Sequence, residues 1–488
     1  MALLLDQDGA LHQQVYRALR AEILSYRLTP GERLPSTRAL AKSLRISRNT
    51  AVLAYEQLLA EGYAQARLGS GTIVAPKIPE EWATSTLQSK GWSAARPSEP
   101  HLARAGTRAL SIARQRKIGW DLNPPHLPFD FRFGRPAFGD FPHAVWCRLL
   151  GRRARRASFR DLDYGPPEGR GELREVLAER LRRLRGIEAS PEQVVIVNGS
   201  QQALDLIGRT LVDPDDRVLI EEPHYLGARS AFLSAGAHLI GAAVDQDGMQ
   251  VPNPNSQGQV PRLVYVTPSH QFPTGVVMPL SRRLELLSWA AGANAFVVED
   301  DYDSEYRYEG RPVQALAGLD QQRVIYVGTF SKLMFPALRL GYLVLPKLLV
   351  APIVACKAIA DTGTATLEQL TLADFIGEGH FERHLHRSTA RNRVLRGVLL
   401  QAIHDNCGTR AEICGANAGL HLLTWLDHPN GARVDDVERK AAKLGVGLYS
   451  VAPYYFKPPE RTGVLLGYGP LREREIREGI KRLAGLLV

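Results

Sequence analysis

Residues 324–345 read VIYVGTFSKLMFPALRLGYLVL. Two apolar, β-branched runs, Val324–Val327 and Leu343–Leu345, have the character of buried strands, and the polar turn between them presents Thr329, Ser331, Lys332 and Arg339. A lysine just past a strand end, with hydroxyls before it and an arginine after it, suits an aldehyde cofactor that carries a phosphate. Lys332 would form the imine, while Thr329 or Ser331 and Arg339 would hold phosphate oxygens. Pyridoxal phosphate is the natural candidate. A surface lysine in a Ser/Thr loop looks the same on this stretch alone, so the rest of the chain has to decide.

Four more strand ends share the arrangement. Val194–Val197 leads into Asn198, Gly199, Ser200, Gln201 and Gln202 at the start of a helix, whose first N–H groups, with Ser200, suit a phosphate. Val218–Ile220 ends in a segment that offers the ring of Tyr225, and Leu263–Val266 ends in the polar loop Thr267–Gly275. Phe296–Val298 runs into Glu299, Asp300, Asp301 and Tyr302, acids and a phenol that a buried strand does not need. Ligands of parallel α/β sheets bind beyond the carboxyl ends of the strands, where all these groups lie. Helix and strand patterns alternate from Phe129 nearly to the C-terminus, which predicts an α/β domain with a mainly parallel central sheet. Ahead of it, a glycine- and proline-rich turn exposes Tyr164, and Arg152, Arg153, Arg155 and Arg156 make a basic helix face, read as a solvated surface rather than a second nucleic-acid contact.

The N-terminal 75 residues have a different grammar. Val15, Leu19 and Ile23 recur every fourth position on one helix; Ser36 caps a second that buries Leu40 and Leu44; Ser47 caps a third expected to bury Val52, Tyr55 and Leu59. Arg48, Asn49 and Thr50 in its first turn serve no core, and at the tip of a helix in a major groove they reach base edges and phosphates. Tyr63–Arg67 and Thr72–Ala75 pair across Gly69, Ser70 and Gly71 as a wing. Residues 76–128 are rich in Pro, Ser and Arg without sustained periodicity and read as a linker, with a helix over Ala103–Arg116 left open.

The whole composition fits such a chain. Its 488 residues, 44% apolar, allow about three domains of ordinary size. The net charge of +10 favours an anionic partner. Cys147, Cys356, Cys407 and Cys414 form no C-x-x-C pair, so neither a disulfide framework nor a zinc site is indicated, and a reducing cytoplasm is expected. No apolar run approaches membrane-spanning length.

The segment PGERLPSTRALAKSLRISRNTAVLAYEQLLAEGY with its wing QARLGSGTIV resembles the winged helix-turn-helix of the GntR superfamily of regulators. That resemblance implies DNA contacts at Arg38, Ser47, Arg48, Asn49, Thr50, Gly69 and Gly71. From Phe129 onward the chain resembles the fold-type-I aminotransferases. This implies that Lys332 carries pyridoxal phosphate, Asp300 pairs with its pyridine nitrogen, Tyr302 bonds its ring hydroxyl and Tyr225 stacks on the ring. It also implies that Ser200, Gln201, Thr329 and Arg339 bind the phosphate, and that Tyr164 reaches the phosphate of a neighbouring subunit in a homodimer. Asp301, beside Asp300, leaves the choice of acid open. Aminotransferases acting on amino acids present an arginine near the C-terminal strand to the substrate carboxylate. The nearest candidate, Arg461, is one residue out of phase with Gly467, and such a slip turns a side chain to the other face. The clamp is unassigned.

Taken whole, the order of winged helix (1–75), linker (76–128) and aminotransferase-like domain (129–488) resembles the MocR (GabR-type) subfamily of GntR regulators. The resemblance implies a cytoplasmic, pyridoxal-phosphate-dependent transcriptional regulator whose second domain senses an amino acid, an amine or the cofactor itself and dimerises. The alternative is a working aminotransferase that carries a DNA-binding domain.

Overall fold

In the computed structural model, Ser36 and Ser47 start their helices as a capping reading requires: Ser36 Oγ accepts the Ala39 N–H at 3.2 Å and Ser47 Oγ the Thr50 N–H at 3.0 Å. The structure describes residues 3–67, 71–80, 102–115, 127–252, 260–310, 313–426, 434–484 and 486, which fall in two units, 1–101 and 102–488. Gly69 lies outside the described residues, as does much of 76–128.

The first unit holds helices Leu11–Leu24, Thr37–Leu44 and Arg48–Ala60, followed by strands β1 (Ala64–Arg67) and β2 (Gly71–Val74), which pair antiparallel from Ala64↔Val74 to Arg67↔Gly71. Val15, Leu19, Ile23 and Leu40 fill its core. The third helix differs from expectation: Ala51, Ala54, Tyr55 and Leu58 are buried, while Val52 and Leu59 are half-buried. Alanines let this helix press closely against Leu11–Leu24, and residues that small give almost no periodic signal.

The helix left open by the sequence forms as Arg104–Gln115 and packs on helix Leu226–Ala235, where Arg108 Nε donates to the Ser234 carbonyl at 3.2 Å. It groups with the second unit, so compact structure there begins within the segment expected to be linker. Almost all of its side chains are exposed, which is why its composition reads as linker.

The second unit is built on an eight-stranded sheet. β3 (Phe129–Asp130) stands apart, paired with β14 (Val446–Gly447). The sheet proper comprises β4 (Val194–Val197), β5 (Arg217–Glu222), β6 (His238–Asp245), β7 (Gly248–Met249), β8 (Leu263–Val266), β9 (Phe296–Asp301), β10 (Val324–Thr329) and β11 (Gly341–Val344). Their spatial order is β4-β11-β10-β9-β8-β5-β6-β7, with parallel pairing from β10 through to β6 and antiparallel pairing at β11 and β7. All four residues of β4 and of β8 are buried, as a sheet covered on both faces demands. Val195 and Val197 pack with Leu204, Phe232 and Ile353 on one face, and Val194 and Ile196 with Leu173 and Leu177 on the other. Beyond it, β12 (Ala411–Cys414), β13 (His421–Leu426), β15 (Tyr449–Ser450) and β16 (Thr462–Gly467) form an antiparallel sheet in the order β12-β13-β16-β15.

The basic helix face is not simply solvated. Arg152 Nη2 lies 2.8 Å from Asp374 Oδ2 and Arg153 Nε 2.7 Å from the same oxygen, and Arg152 also pairs with Glu378. Among the described residues, no helix is long and apolar enough to cross a membrane.

Candidate functional site

β4, β5, β8, β9 and β10 all point their carboxyl ends the same way, so the segments that follow them converge with the start of β11. Lys332 Nζ, three residues past the end of β10, donates to the Gly134 carbonyl at 2.7 Å. Gly134 has φ +70°, a conformation strained for any other residue, and a Cβ there would come within 2.8 Å of that nitrogen and push the amine aside. Burial lowers the Lys332 ammonium below the ordinary lysine value, with the charges of Asp303 and Asp300 opposing it. A lowered value leaves more of the amine unprotonated, as a nucleophile for a carbonyl must be.

Two strands away, Gly199 at φ +87° opens helix Ser200–Leu211, and Arg339, itself left-handed at φ +52°, donates through Nη2 to the Asn198 carbonyl at 2.8 Å. A Cβ on Gly199 would stand 3.1 Å from that guanidinium. Ser200 is thus brought to the same helix N-terminus as Arg339. Gln201 Nε2 donates to the Gly227 carbonyl at 3.1 Å, while its Oε1 is buried without a partner. Buried Thr329 accepts the Ser331 N–H at 3.2 Å.

The two acids of β9 separate by the alternation of a strand. Asp301 is saturated: its carboxylate accepts from Tyr326 at 2.6 Å and Ser304 at 2.9 Å and pairs with Arg185 at 2.7 Å. Asp300 is equally buried but half-satisfied, with Oδ2 accepting from Tyr265 at 2.8 Å and Oδ1 without a partner among the described residues. Burial pushes its carboxyl up to about 7.

Tyr302 is less simply placed. Its hydroxyl donates to the His270 carbonyl at 2.8 Å and lies 2.9 Å from His270 Nδ1, which also lies 3.1 Å from Asp303 Oδ2. His421 completes this buried cluster, held neutral by burial and donating through Nε2 to the Pro273 carbonyl at 3.2 Å. Tyr225 lies over Gly227, where a Cβ would collide with its ring, and edge-on to Phe272 at 5.8 Å. Tyr164 is 86% exposed, alongside Phe159 and Leu162, also exposed. Arg461 is committed elsewhere, paired with Glu412 at 2.8 Å. Sequence reasoning missed the Gly134 carbonyl, Tyr265 and the His270–Asp303 pair; the one available signal was Tyr265 itself, a phenol in an otherwise aliphatic strand. In the first unit, Arg38, Arg48 and Asn49 are exposed with no side-chain partner among the described residues, whereas the Ser47 and Thr50 hydroxyls are engaged with each other at 2.8 Å.

Comparison with known proteins bears on both units. Residues 11–74 match the bacterial regulatory proteins of the gntR family, and residues 148–429 match aminotransferase class I and II. The chain is 40% identical to the probable rhizopine catabolism regulatory protein MocR of Rhizobium meliloti, over 98% of this chain and 94% of that one. It is 34% identical to the HTH-type transcriptional regulator TauR of Rhodobacter capsulatus, over 98% of this chain and 97% of that one. Among solved structures, the multiple substrate aminotransferase of Thermococcus profundus superposes with a TM-score of 0.70 at 27% identity, covering 80% of this chain and 97% of that one.

Proposed function

This chain belongs to the MocR-type GntR regulators, in which a gntR helix-turn-helix precedes a class I and II aminotransferase domain, and from that premise we propose that it couples the occupancy of a pyridoxal phosphate site to operator binding. The observation that carries this reading is Lys332, desolvated just beyond the end of β10, together with Asp300 at the end of the adjacent β9, whose buried Oδ1 has no partner among the described residues. An unpaired buried carboxylate oxygen is costly unless a donor meets it, and a protonated pyridine nitrogen is such a donor. The residues fit the group. When bound, the cofactor supplies an aldehyde for amine capture and an electron-withdrawing ring.

The chain's own groups then divide the work. Lys332 would hold the cofactor covalently, Asp300 would keep the ring nitrogen protonated, and Tyr225 would cover the ring. Arg339, Ser200, Gln201 and Thr329 surround the phosphate, helped by the N–H groups that open helix Ser200–Leu211. Tyr302, whose hydroxyl donates to the His270 carbonyl, would serve the ring hydroxyl. Tyr164, exposed beside Phe159 and Leu162, reaches the neighbouring subunit's phosphate in a homodimer. Arg38, Arg48, Asn49 and the wing contact DNA in the cytoplasm, and the effector is an amino acid, an amine or the cofactor itself. The test is operator binding measured across cofactor concentrations, with steady-state assays of amino-acid and keto-acid pairs alongside. Cofactor-dependent affinity without turnover supports the regulator; turnover with cofactor-independent DNA binding supports an aminotransferase with an appendage.

A further inference from the structure

Among the described residues, Arg135 has neither an acidic nor a hydrogen-bonding side-chain partner, and it follows directly on the glycine whose carbonyl holds Lys332. Its neighbours are committed: Arg132 to Tyr449 at 2.8 Å and to Asp130, and Arg391 to Asp140 and the Gly469 carbonyl. The segment that carries Arg135 is laid onto the end of β16. Gly467 donates its N–H to the Phe131 carbonyl at 2.8 Å, and a Cβ on Gly467 would strike the Arg132 carbonyl. A Cβ on Gly469 would stand 2.5 Å from the Arg135 carbonyl. The glycines of Gly467-Tyr468-Gly469 therefore allow this backbone to run between Lys332 and the C-terminal strand. The strand itself offers no cation inward: Leu465 is fully buried with Phe272, Leu423, Val451 and Tyr454, in a cluster against which Tyr225 and Tyr302 also pack.

We infer that Arg135 receives an anionic group of the effector, so that the sensed molecule is an amine bearing a carboxylate, its apolar body lying against the Phe272–Leu465 cluster. The inference rests on the sensing reading above. A half-buried guanidinium without a counter-ion is poised to gain from a carboxylate, and planar bidentate pairing is the strongest form of that contact. The Arg135 charge also acts on the Lys332 amine, adding to the lowering that burial imposes.

The experiment uses cofactor-loaded, full-length protein and isosteric probe pairs that differ only in charge: L-phenylalanine, L-leucine, L-alanine and β-alanine, each against its amide. Dissociation constants come from the visible absorbance of the bound cofactor. Wild type should prefer at least one acid over its amide by roughly 10- to 100-fold, the range of a charge-assisted hydrogen bond. Arg135→Gln should abolish that preference, Arg135→Lys should keep part of it, and Arg461→Gln should leave it intact. In cofactor-free protein, Arg135→Gln should also move the pH profile of Lys332 acetylation upward. Equal affinity for acid and amide in wild type, or an undiminished preference or an unmoved acetylation profile in Arg135→Gln, overturns the inference alone. Absence of any response to all eight probes overturns the amine-sensing reading and this inference with it.

Discussion

Asp300→Asn separates what the carboxylate costs the protein alone from what it contributes with a cofactor. Asp300 is 4% exposed, accepts one hydrogen bond from Tyr265 and has a carboxyl pushed up from 3.8 to about 7 by burial. A rise of about three units corresponds to roughly 4 kcal/mol. The folded state holds this proton more tightly than the unfolded chain, so the associated stability is fully present below about pH 4 and is lost as pH rises through about 7. Cofactor-free Asp300→Asn protein should therefore exceed wild type by only about 1 kcal/mol near pH 4.5 and by up to about 4 kcal/mol at pH 8.5. Scanning calorimetry of the 102–488 transition across that range reads the difference. With cofactor bound the gap at pH 8.5 should narrow by about 1.5–3 kcal/mol, because asparagine forfeits a charge-assisted hydrogen bond of that size to the ring nitrogen. Parallel pH curves for the two cofactor-free proteins, or equal cofactor affinities, would refute the reasoning.

Lys332→Ala should lose the visible band and the borohydride-trapped adduct yet retain weak cofactor binding, and peptide mapping of the adduct to another lysine would reject the assignment. Arg48→Ala should weaken operator binding by about 1–3 kcal/mol with cofactor absorbance unchanged, whereas a wild-type footprint would remove Arg48 from the DNA contacts. Gly134→Ala should cost about 1 kcal/mol or more in stability from its φ of +70° and displace Lys332, slowing cofactor capture in a stopped-flow trace; an unaltered rate would show that the Gly134 carbonyl does not position the amine.

Val194–Val197 and Leu263–Val266 have the bounds their sequences suggest because every residue in them is aliphatic or aromatic and buried. β9 runs three residues further than its apolar stretch because its pairing with β10 continues to Asp301↔Gly328, and buried Glu299 is tolerated there by accepting the N–H groups of Leu316 and Ala317 at 3.1 and 2.9 Å. A charge that ends the apolar pattern in the sequence thus caps another helix in the fold. Lys332, Asp300 and Arg339 stand out in the sequence as candidates because they break strand ends with chemistry that packing does not use. The partners that select among them were not: Gly134 stands 198 residues from Lys332, and Tyr265 stands 35 from Asp300. No local period encodes such distances. Arg135 was hidden for the same reason, since its proposed role follows from an acid that none of the described residues supplies.

The central claim is that amine chemistry at Lys332 and DNA binding at Arg48 share one free energy. In the proposed dimer, two tethered helix-turn-helix units would raise each other's effective concentration on paired half-sites, so a change in their placement would alter avidity without touching a base. Coupling of this kind is reciprocal. The most direct measurement is an effector titration, followed through the cofactor's absorbance at saturating cofactor, with and without operator DNA. The account predicts midpoints separated by about 5- to 150-fold, matched by an equal shift in operator affinity. Coincident titrations accompanied by rapid keto-acid production would contradict it.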